Sequence, residues 1–541
     1  MDMAPSYARH ISRSPYGMID SWDEATLNRS GTMSFEDPAN WIDNAALNQP
    51  QRSFLRTPQG RELSYLALRD QTIRFASVLT ARGVVPGDRV AVQVDKSVDA
   101  VLLYVACLSM GAVFVPINAA NTANEVDYFL RDSRPRLAVV RPADRTLLEP
   151  LADRAHVQHL ETLGTDGDGT LPELVRRCAP TSQSPRMGGA NSLAAIVYTS
   201  GTTGRSKGAM LTRGNLASNA ATLADIWRFT ENDVLLHTLP LFHVHGLFVA
   251  INTVLASASS LVLMSKFDAA MVLARLPEVT VYMGVPTHYT RLLREPGLNH
   301  DVTSRVRLFV SGSAPLLTET HHEFKRRTGH MILERYGMTE TLMNTSNPYD
   351  GARVPGSVGL ALPGVAIRVS GSSGADASSA DGIGTLEIKG PNVFAGYWGD
   401  ADKTRGAFTG DGAFKTGDLG RIDREGYVYI VGRANDLVIS GGYNVYPKEV
   451  ETELDAVAGV LESAVFGVPH PDFGEGVTAA VVVEPGAVLS EAGIIGAVKA
   501  QLAGYKIPKR IVFVDELPRN AMGKVQKAAL RTTYASLYGA V

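Results

Sequence analysis

Cysteine is scarce in this chain: Cys107 and Cys178 are the two in 541 residues. Two thiols cannot make a disulfide framework, and by themselves they cannot make a zinc site. Packing is the role expected of both, and a reducing compartment is permitted. Long apolar runs are missing as well. None reaches the ~18 residues that a membrane span requires, so no transmembrane segment is expected. Excess charge of either sign is missing too: 52 Lys and Arg stand against 55 Asp and Glu, a net charge of −3. That balance gives no reason to expect nucleic acid or an anionic membrane as a partner. The first residues carry Arg9 and Arg13 but no apolar core, so they do not read as a secretory signal. Asp2 and the acids from Asp20 onward argue against a transit peptide. Residues 1–35 read as a loosely docked extension, and a cytoplasmic location is expected. No internal repeat of short fixed period is present.

What remains is ordinary globular composition, 45% hydrophobic and 20% charged, in a chain long enough for more than one domain. Residues 63–82 have apolar side chains at helical spacing, and 89–94 read as a strand. A helix over 100–111 and a strand over 112–117 follow. The alternation continues through strands at 137–140, 193–198, 234–238, 260–264, 279–283 and 306–310. Strands alternating with helices predict an α/β fold with largely parallel, layered sheets. After about residue 356 the texture changes. Short runs at 366–369, 384–389 and 426–431 are separated by Gly, Asp and Ser, which predicts a twisted antiparallel sheet or small β-barrel. Residues 371–384 form a polar low-complexity tract. The expected division is an extension (1–35), a large multi-sheet domain (36–434) and a smaller mobile α+β domain (435–541). In the last, helices at 447–454 and 491–502 alternate with strands at 460–467, 478–484 and 510–514.

The chemistry centres on a stretch of small residues running from Thr199 through Ser200, Gly201, Thr202, Thr203 and Gly204 to Lys207. Such a loop leaves backbone N–H groups uncovered for a phosphate, and Lys207 adds a point charge. The strand 193–197 precedes it and a helix over 215–227 follows. It is not a Walker A loop, because Arg and Ser stand between Gly204 and Lys207. A second motif, Ser311-Gly312-Ser313-Ala314-Pro315, follows the strand 306–310. A third runs from Glu334 and Arg335 through Tyr336, Gly337 and Met338 to Thr339 and Glu340. Both stand at carboxyl ends of strands, where open α/β sheets bind ligands. Tyr336 offers a flat face to a base, Thr339 a hydroxyl to a phosphate, and Glu340 a hard oxygen to Mg²⁺. Asp418, in Lys415-Thr416-Gly417-Asp418, and Arg433 could bind ribose hydroxyls. A last motif surrounds Lys524 beside Gly523, near the chain end.

These motifs, in this order and spacing, resemble the adenylate-forming superfamily of acyl-CoA synthetases, peptide-synthetase adenylation domains and luciferases. The resemblance implies ATP, Mg²⁺ and coenzyme A as cofactors and co-substrate. It implies that Thr199 to Lys207 handles the β- and γ-phosphates. Gly312, Ser313 and Ala314 would wall the adenine pocket with Tyr336 stacking, and Glu334 and Arg335 fall in the same nucleotide set. Thr339 would hold the α-phosphate, Glu340 the metal, and Asp418 with Arg433 the ribose. Lys524 would reach in from the small domain to bridge carboxylate and α-phosphate. Ser440, Gly441 and Gly442 match the segment that lines the thiol tunnel. Asn435 stands where the family usually has a charged hinge residue.

The segments around His243-Val244-His245, around Arg291 and from Arg335 to Tyr349 look like malonyl-CoA synthetases in particular. That likeness implies Arg291 as the partner of a second carboxylate, with His243, Val244 and Met343 at the acid and His243 counted among the catalytic groups. From helical periodicity alone, Arg291 reads as a surface residue. Val244 stands where threonine is expected, so malonate and methylmalonate both stay open. The expected protein is a monomer or homodimer taking a small dicarboxylic acid. The alternative is a short-chain, medium-chain or aryl monocarboxylate–CoA ligase.

Overall fold

The computed structural model describes residues 37–179, 188–199, 206–370, 382–440, 443–499, 501–520 and 523–539. The extension 1–35, loop residues 200–205, most of the tract 371–384, and Gly441 and Gly442 lie outside the described residues. Two parallel-rich sheets dominate the large domain. One has six strands in the spatial order 159–162, 137–140, 89–93, 113–116, 193–199, 207–212. The other has nine, with 333–338, 308–311, 281–284, 234–237 and 260–263 adjacent and parallel at its centre. A four-stranded antiparallel sheet (366–370, 384–389, 414–422, 428–433) follows, where a sheet or barrel was expected. The last part is an α+β unit with a five-stranded sheet.

The helix Val98–Met110 occupies the centre of the largest hydrophobic cluster. Every one of its residues except Ser109 is buried. Its sequence is apolar on all sides, which suits a helix enclosed by other elements. Ser97 caps its start, accepting from the Ala100 N–H at 3.1 Å, and Gly111 ends it in the left-handed conformation. Cys107 is fully buried there, as its expected packing role requires. No helix of the described residues is long and apolar enough to cross a membrane.

Two departures from the sequence reading bear on the site. Residues Lys207–Thr212 form a strand that pairs antiparallel with Leu193–Thr199, with Thr199 opposite Lys207. The strands on either side of the small-residue stretch are therefore antiparallel neighbours, and Lys207 begins the second of them. The residues after His243 and Val244 form a π-helix, His245–Ile251, before one α-turn, Asn252–Ala256. π-Turns are rare and recur at functional sites.

Candidate active site

Parallel pairing brings three strand ends together. The strands Val281–Gly284, Leu308–Ser311 and Leu333–Met338 lie side by side, so the residues just beyond them share one edge. Facing that edge, the strand Val428–Arg433 pairs with Phe414–Ile422 and sets Arg433 opposite Asp418. A turn from the small domain, carrying Gly523 and Lys524, closes the remaining side. The cavity between them measures about 330 Å³, and Thr287, Ser313, Tyr336, Asp418, Arg433 and Lys524 are among its walls.

Asp418 organises one wall. It is 3% exposed, accepts from the Tyr336 hydroxyl at 2.5 Å, and pairs with Arg433 Nε at 2.8 Å. Its own N–H donates to Thr416 Oγ1 at 3.0 Å, which fixes the bend. Burial, then the Asp418 charge, raises the Tyr336 phenol well above its ordinary value, so it stays a neutral donor. Lys524 comes from the other domain. Burial and then the Arg433 charge lower its ammonium below the ordinary lysine value. Its backbone N–H donates to Asn520 Oδ1 at 3.0 Å, and Gly523 stands at φ +72°. A Cβ on Gly523 would lie 2.9 Å from Thr287 Oγ1, so the turn docks closely on the large domain.

The motif between Glu334 and Glu340 divides among several places. Glu334 is buried and accepts from the Gly356 N–H at 3.3 Å; burial pushes its carboxyl up to about 8. Thr339 is half-buried in the turn between two strands. Glu340 is buried and accepts from the Tyr397 hydroxyl at 3.1 Å, and burial raises its carboxyl. Lys207 sets its ammonium over the same Tyr397 ring, 5.1 Å from the centroid. Tyr397 thus links Lys207 to Glu340, the expected metal ligand, a connection no motif announced. No cluster of three or more His, Cys, Asp or Glu suited to a metal occurs among the described residues. One buried carboxylate still suits Mg²⁺, which is commonly held by one or two carboxylates plus substrate phosphates.

Arg335 is the anomaly. It is 3% exposed, and its Nε and Nη2 have no hydrogen-bond partner. No carboxylate pairs with it among the described residues, and burial pushes its guanidinium down to about 9. A Cβ on Gly312 would fall 2.5 Å from its Cζ, so the glycine makes room for the guanidinium. A buried charge without a counter-ion is costly, on the order of several kcal/mol. His243 is half-buried, and its Nδ1 accepts from the His245 N–H at 3.2 Å. Burial, then Arg335 and Lys524, lower it to about 4, so the ring is neutral near pH 7 and carries its proton on Nε2. His245 meets Ser313 Oγ at 3.2 Å, and Ser313 holds φ +73°. Such a conformation is strained for a residue with a side chain, and strain of this kind gathers at functional sites.

Other expected residues are not brought to the cavity. Arg291 is exposed in the last turn of the helix Pro286–Leu292. Thr287 and Thr290 of that helix reach the cavity. Arg291, the next residue after Thr290, is not among the cavity walls. The structure therefore does not supply the second-carboxylate contact expected of it. Val244 and Met343 are each 2% exposed and packed in the main core, and neither is among the cavity walls. Ser440 is buried in the small domain's own sheet, paired with Tyr443 and Gly474. Asn435 lies in a short 3-10 turn, Ala434–Asp436, whose Asp436 carboxylate accepts from Arg531 Nη2 at 2.8 Å.

Comparison with known proteins agrees with this arrangement. The profile of the AMP-binding enzyme family matches residues 42–398, and that of the AMP-binding enzyme C-terminal domain matches 449–524. A malonate–CoA ligase of Mus musculus is 36% identical, covering 86% of each chain. An indoleacetate–CoA ligase of Aromatoleum aromaticum is 34% identical, over 92% of this chain and 98% of its own. The crystal structure of ATP-bound MatB from Rhodopseudomonas palustris superposes with a TM-score of 0.89 at 52% identity, over 92% of this chain and 99% of that one. With motifs, fold and cavity all in agreement, the chain belongs to the AMP-binding enzyme family.

Proposed function

We propose that this protein is an ATP-dependent acid–CoA ligase that makes malonyl-CoA. The acid carboxylate attacks the α-phosphorus of ATP, giving malonyl-AMP and pyrophosphate. The thiol of coenzyme A then displaces AMP, giving the thioester. The observation that carries the reading is the entry of Lys524, from the small domain, into the cavity walled by Tyr336, Asp418 and Arg433. Two anions must meet in the first step. A partly desolvated cation between them stabilises the charge of in-line attack. Thr339 would hold the α-phosphate, and Asp418 with Arg433 the ribose. Mg²⁺, held by Glu340 and the phosphates, would supply neutralisation of phosphate charge. Lys207 and the small-residue stretch before it would take the outer phosphates. The choice of malonate follows the name of the mouse relative and the cationic acid end of the cavity.

ATP–pyrophosphate exchange over malonate, methylmalonate, propionate, benzoate and indoleacetate tests the reading, followed by coenzyme A dependence. Malonate is expected to give the highest kcat/KM. A preference for the aryl acids would favour the activity named for the Aromatoleum relative. Lys524→Ala should abolish exchange while sparing thioester formation from added malonyl-AMP. Normal full turnover by that variant would refute the role of Lys524.

A further inference from the structure

We propose that Tyr397 is a positioning residue for the metal-bound triphosphate: its ring seats the Lys207 ammonium while its hydroxyl orients the Glu340 carboxylate. One side chain then sets the spacing of the groups that receive the outer phosphates and their metal. This rests on the ATP-dependent reading above and not on the choice of acid. The first observation is the double contact. The Lys207 ammonium stands 5.1 Å from the centre of the Tyr397 ring, and the Tyr397 hydroxyl donates to Glu340 Oε1 at 3.1 Å. A cation is drawn to the face of an aromatic ring and a phenol donates from its edge, so the two contacts do not compete. Glu340 takes this hydrogen bond from a neutral phenol and not from Lys207, so both charges stay available to a nucleotide.

The second observation is that residues 394–398 are stitched to both motifs through the backbone. The Ala395 N–H donates to the Met210 carbonyl at 2.9 Å, the Met210 N–H to Gly396 at 2.9 Å, and the Trp398 N–H to Gly208 at 2.8 Å, all on the strand that Lys207 begins. On the other side the Phe394 N–H donates to the Glu340 carbonyl at 2.8 Å. Thr404 fixes the segment from behind. Its Oγ1 accepts from the Tyr397 N–H at 2.9 Å, and a Cβ on Gly396 would fall 2.6 Å from its Cγ2. The buried ring is thus held on three sides. The third argument is chemical. Lysine is a point charge on a flexible stem, so seating it beforehand lowers the entropy that phosphate binding must overcome. A carboxylate that holds a metal is itself commonly oriented by a hydrogen bond, and Tyr397 supplies that bond to Glu340.

The test uses the full-length enzyme with Tyr397→Phe and Tyr397→Leu. Calorimetry measures binding of α,β-methylene-ATP over a range of Mg²⁺ concentrations and with Mg²⁺ chelated, and binding of AMP. Tyr397→Phe keeps the ring and loses the hydroxyl. It should raise the Mg²⁺ concentration for half-maximal tightening about tenfold, the loss typical of a partner behind a metal ligand. Its affinity for the metal-free analogue should stay within about twofold of the parent's, because the seat of Lys207 remains. Tyr397→Leu should show the same Mg²⁺ effect and also bind the metal-free analogue about fivefold more weakly, because the seat is gone. AMP, which lacks the outer phosphates, should bind both variants as it binds the parent. A misfolded fraction would lower the stoichiometry and leave the contrast between AMP and the analogue intact. An unchanged Mg²⁺ dependence in Tyr397→Phe, or a loss of AMP affinity in step with the analogue, would overturn the assignment while leaving the ATP reading in place. If the unaltered enzyme binds the analogue no more tightly with Mg²⁺ than without it, the ATP–Mg²⁺ reading fails and the inference falls with it.

Discussion

Glu334 carries a pH signature at the scale of one residue. Its carboxyl is buried and pushed up from 4.5 to about 8, and the Gly356 N–H and Lys448 only partly oppose this. Between those values the folded protein holds a proton that the unfolded chain has released. Stability therefore falls as pH rises through that window, by up to about 1.4 kcal/mol per unit. Glu334→Gln removes the titration. The variant's unfolding midpoint should gain on the parent's steadily from pH 5 to pH 8, and parallel midpoints would show that the carboxyl titrates normally. His243 works in the other sense, with its value lowered to about 4. Its contribution is present above the unfolded histidine value near 6.5 and is lost as pH falls toward 4. Glu334, Arg335 and Tyr336 are adjacent letters of one motif, and their residue types were legible as ligand groups. That Glu334 takes a backbone N–H, Arg335 takes nothing and Tyr336 takes Asp418 was not legible. Each partner comes from a distant segment.

At the scale of elements, the turn around Lys524 is the most sensitive. A bridge between Arg519 and Val525 closes it, and Gly523 meets both a positive φ and the Thr287 side chain. Gly523→Ala adds a methyl where neither backbone nor neighbour gives room. Pyrophosphate exchange should fall at least tenfold with the fold intact by circular dichroism; unchanged exchange would show that the turn need not dock on Thr287. Regular elements were well legible. The strands over 137–140 and 384–389 match their expected bounds, and Tyr65–Ala81 falls within the helix expected over 63–82. Their side chains show a clear period or unbroken apolar run, and their partners are regular neighbours. The strand Lys207–Thr212 was missed because Gly208 and Ala209 blunt its alternation. Its pairing with Leu193–Thr199 spans a loop that reads as irregular. The π-helix His245–Ile251 was also invisible, since its residues would suit an α-helix equally well.

For the whole molecule, the cavity belongs to both domains at once. Asp418 and Arg433 come from the large one, Lys524 from the small one, with the turn Ala434–Asp436 between them. A nucleotide bound there should tie the two together. At a hundredfold excess over Kd, ATP with Mg²⁺ should stabilise the fold by about 2.7 kcal/mol and raise the unfolding midpoint. It should also slow proteolysis near residues 434–437. A midpoint shift without that protection would place the nucleotide in the large domain alone.

The amino-acid sequence by itself determined the layered α/β class, the order of the ligand motifs and hence the family. Those features are local: hydrophobic period, small residues at strand ends, and charged letters at set spacings. Only the tertiary structure decided which charges stand in the cavity. Arg291 and Arg335 are equally basic as letters, yet one faces solvent and the other is buried without an anion. Burial and pairing depend on segments far apart in the chain, and so does the electrostatic character of a site.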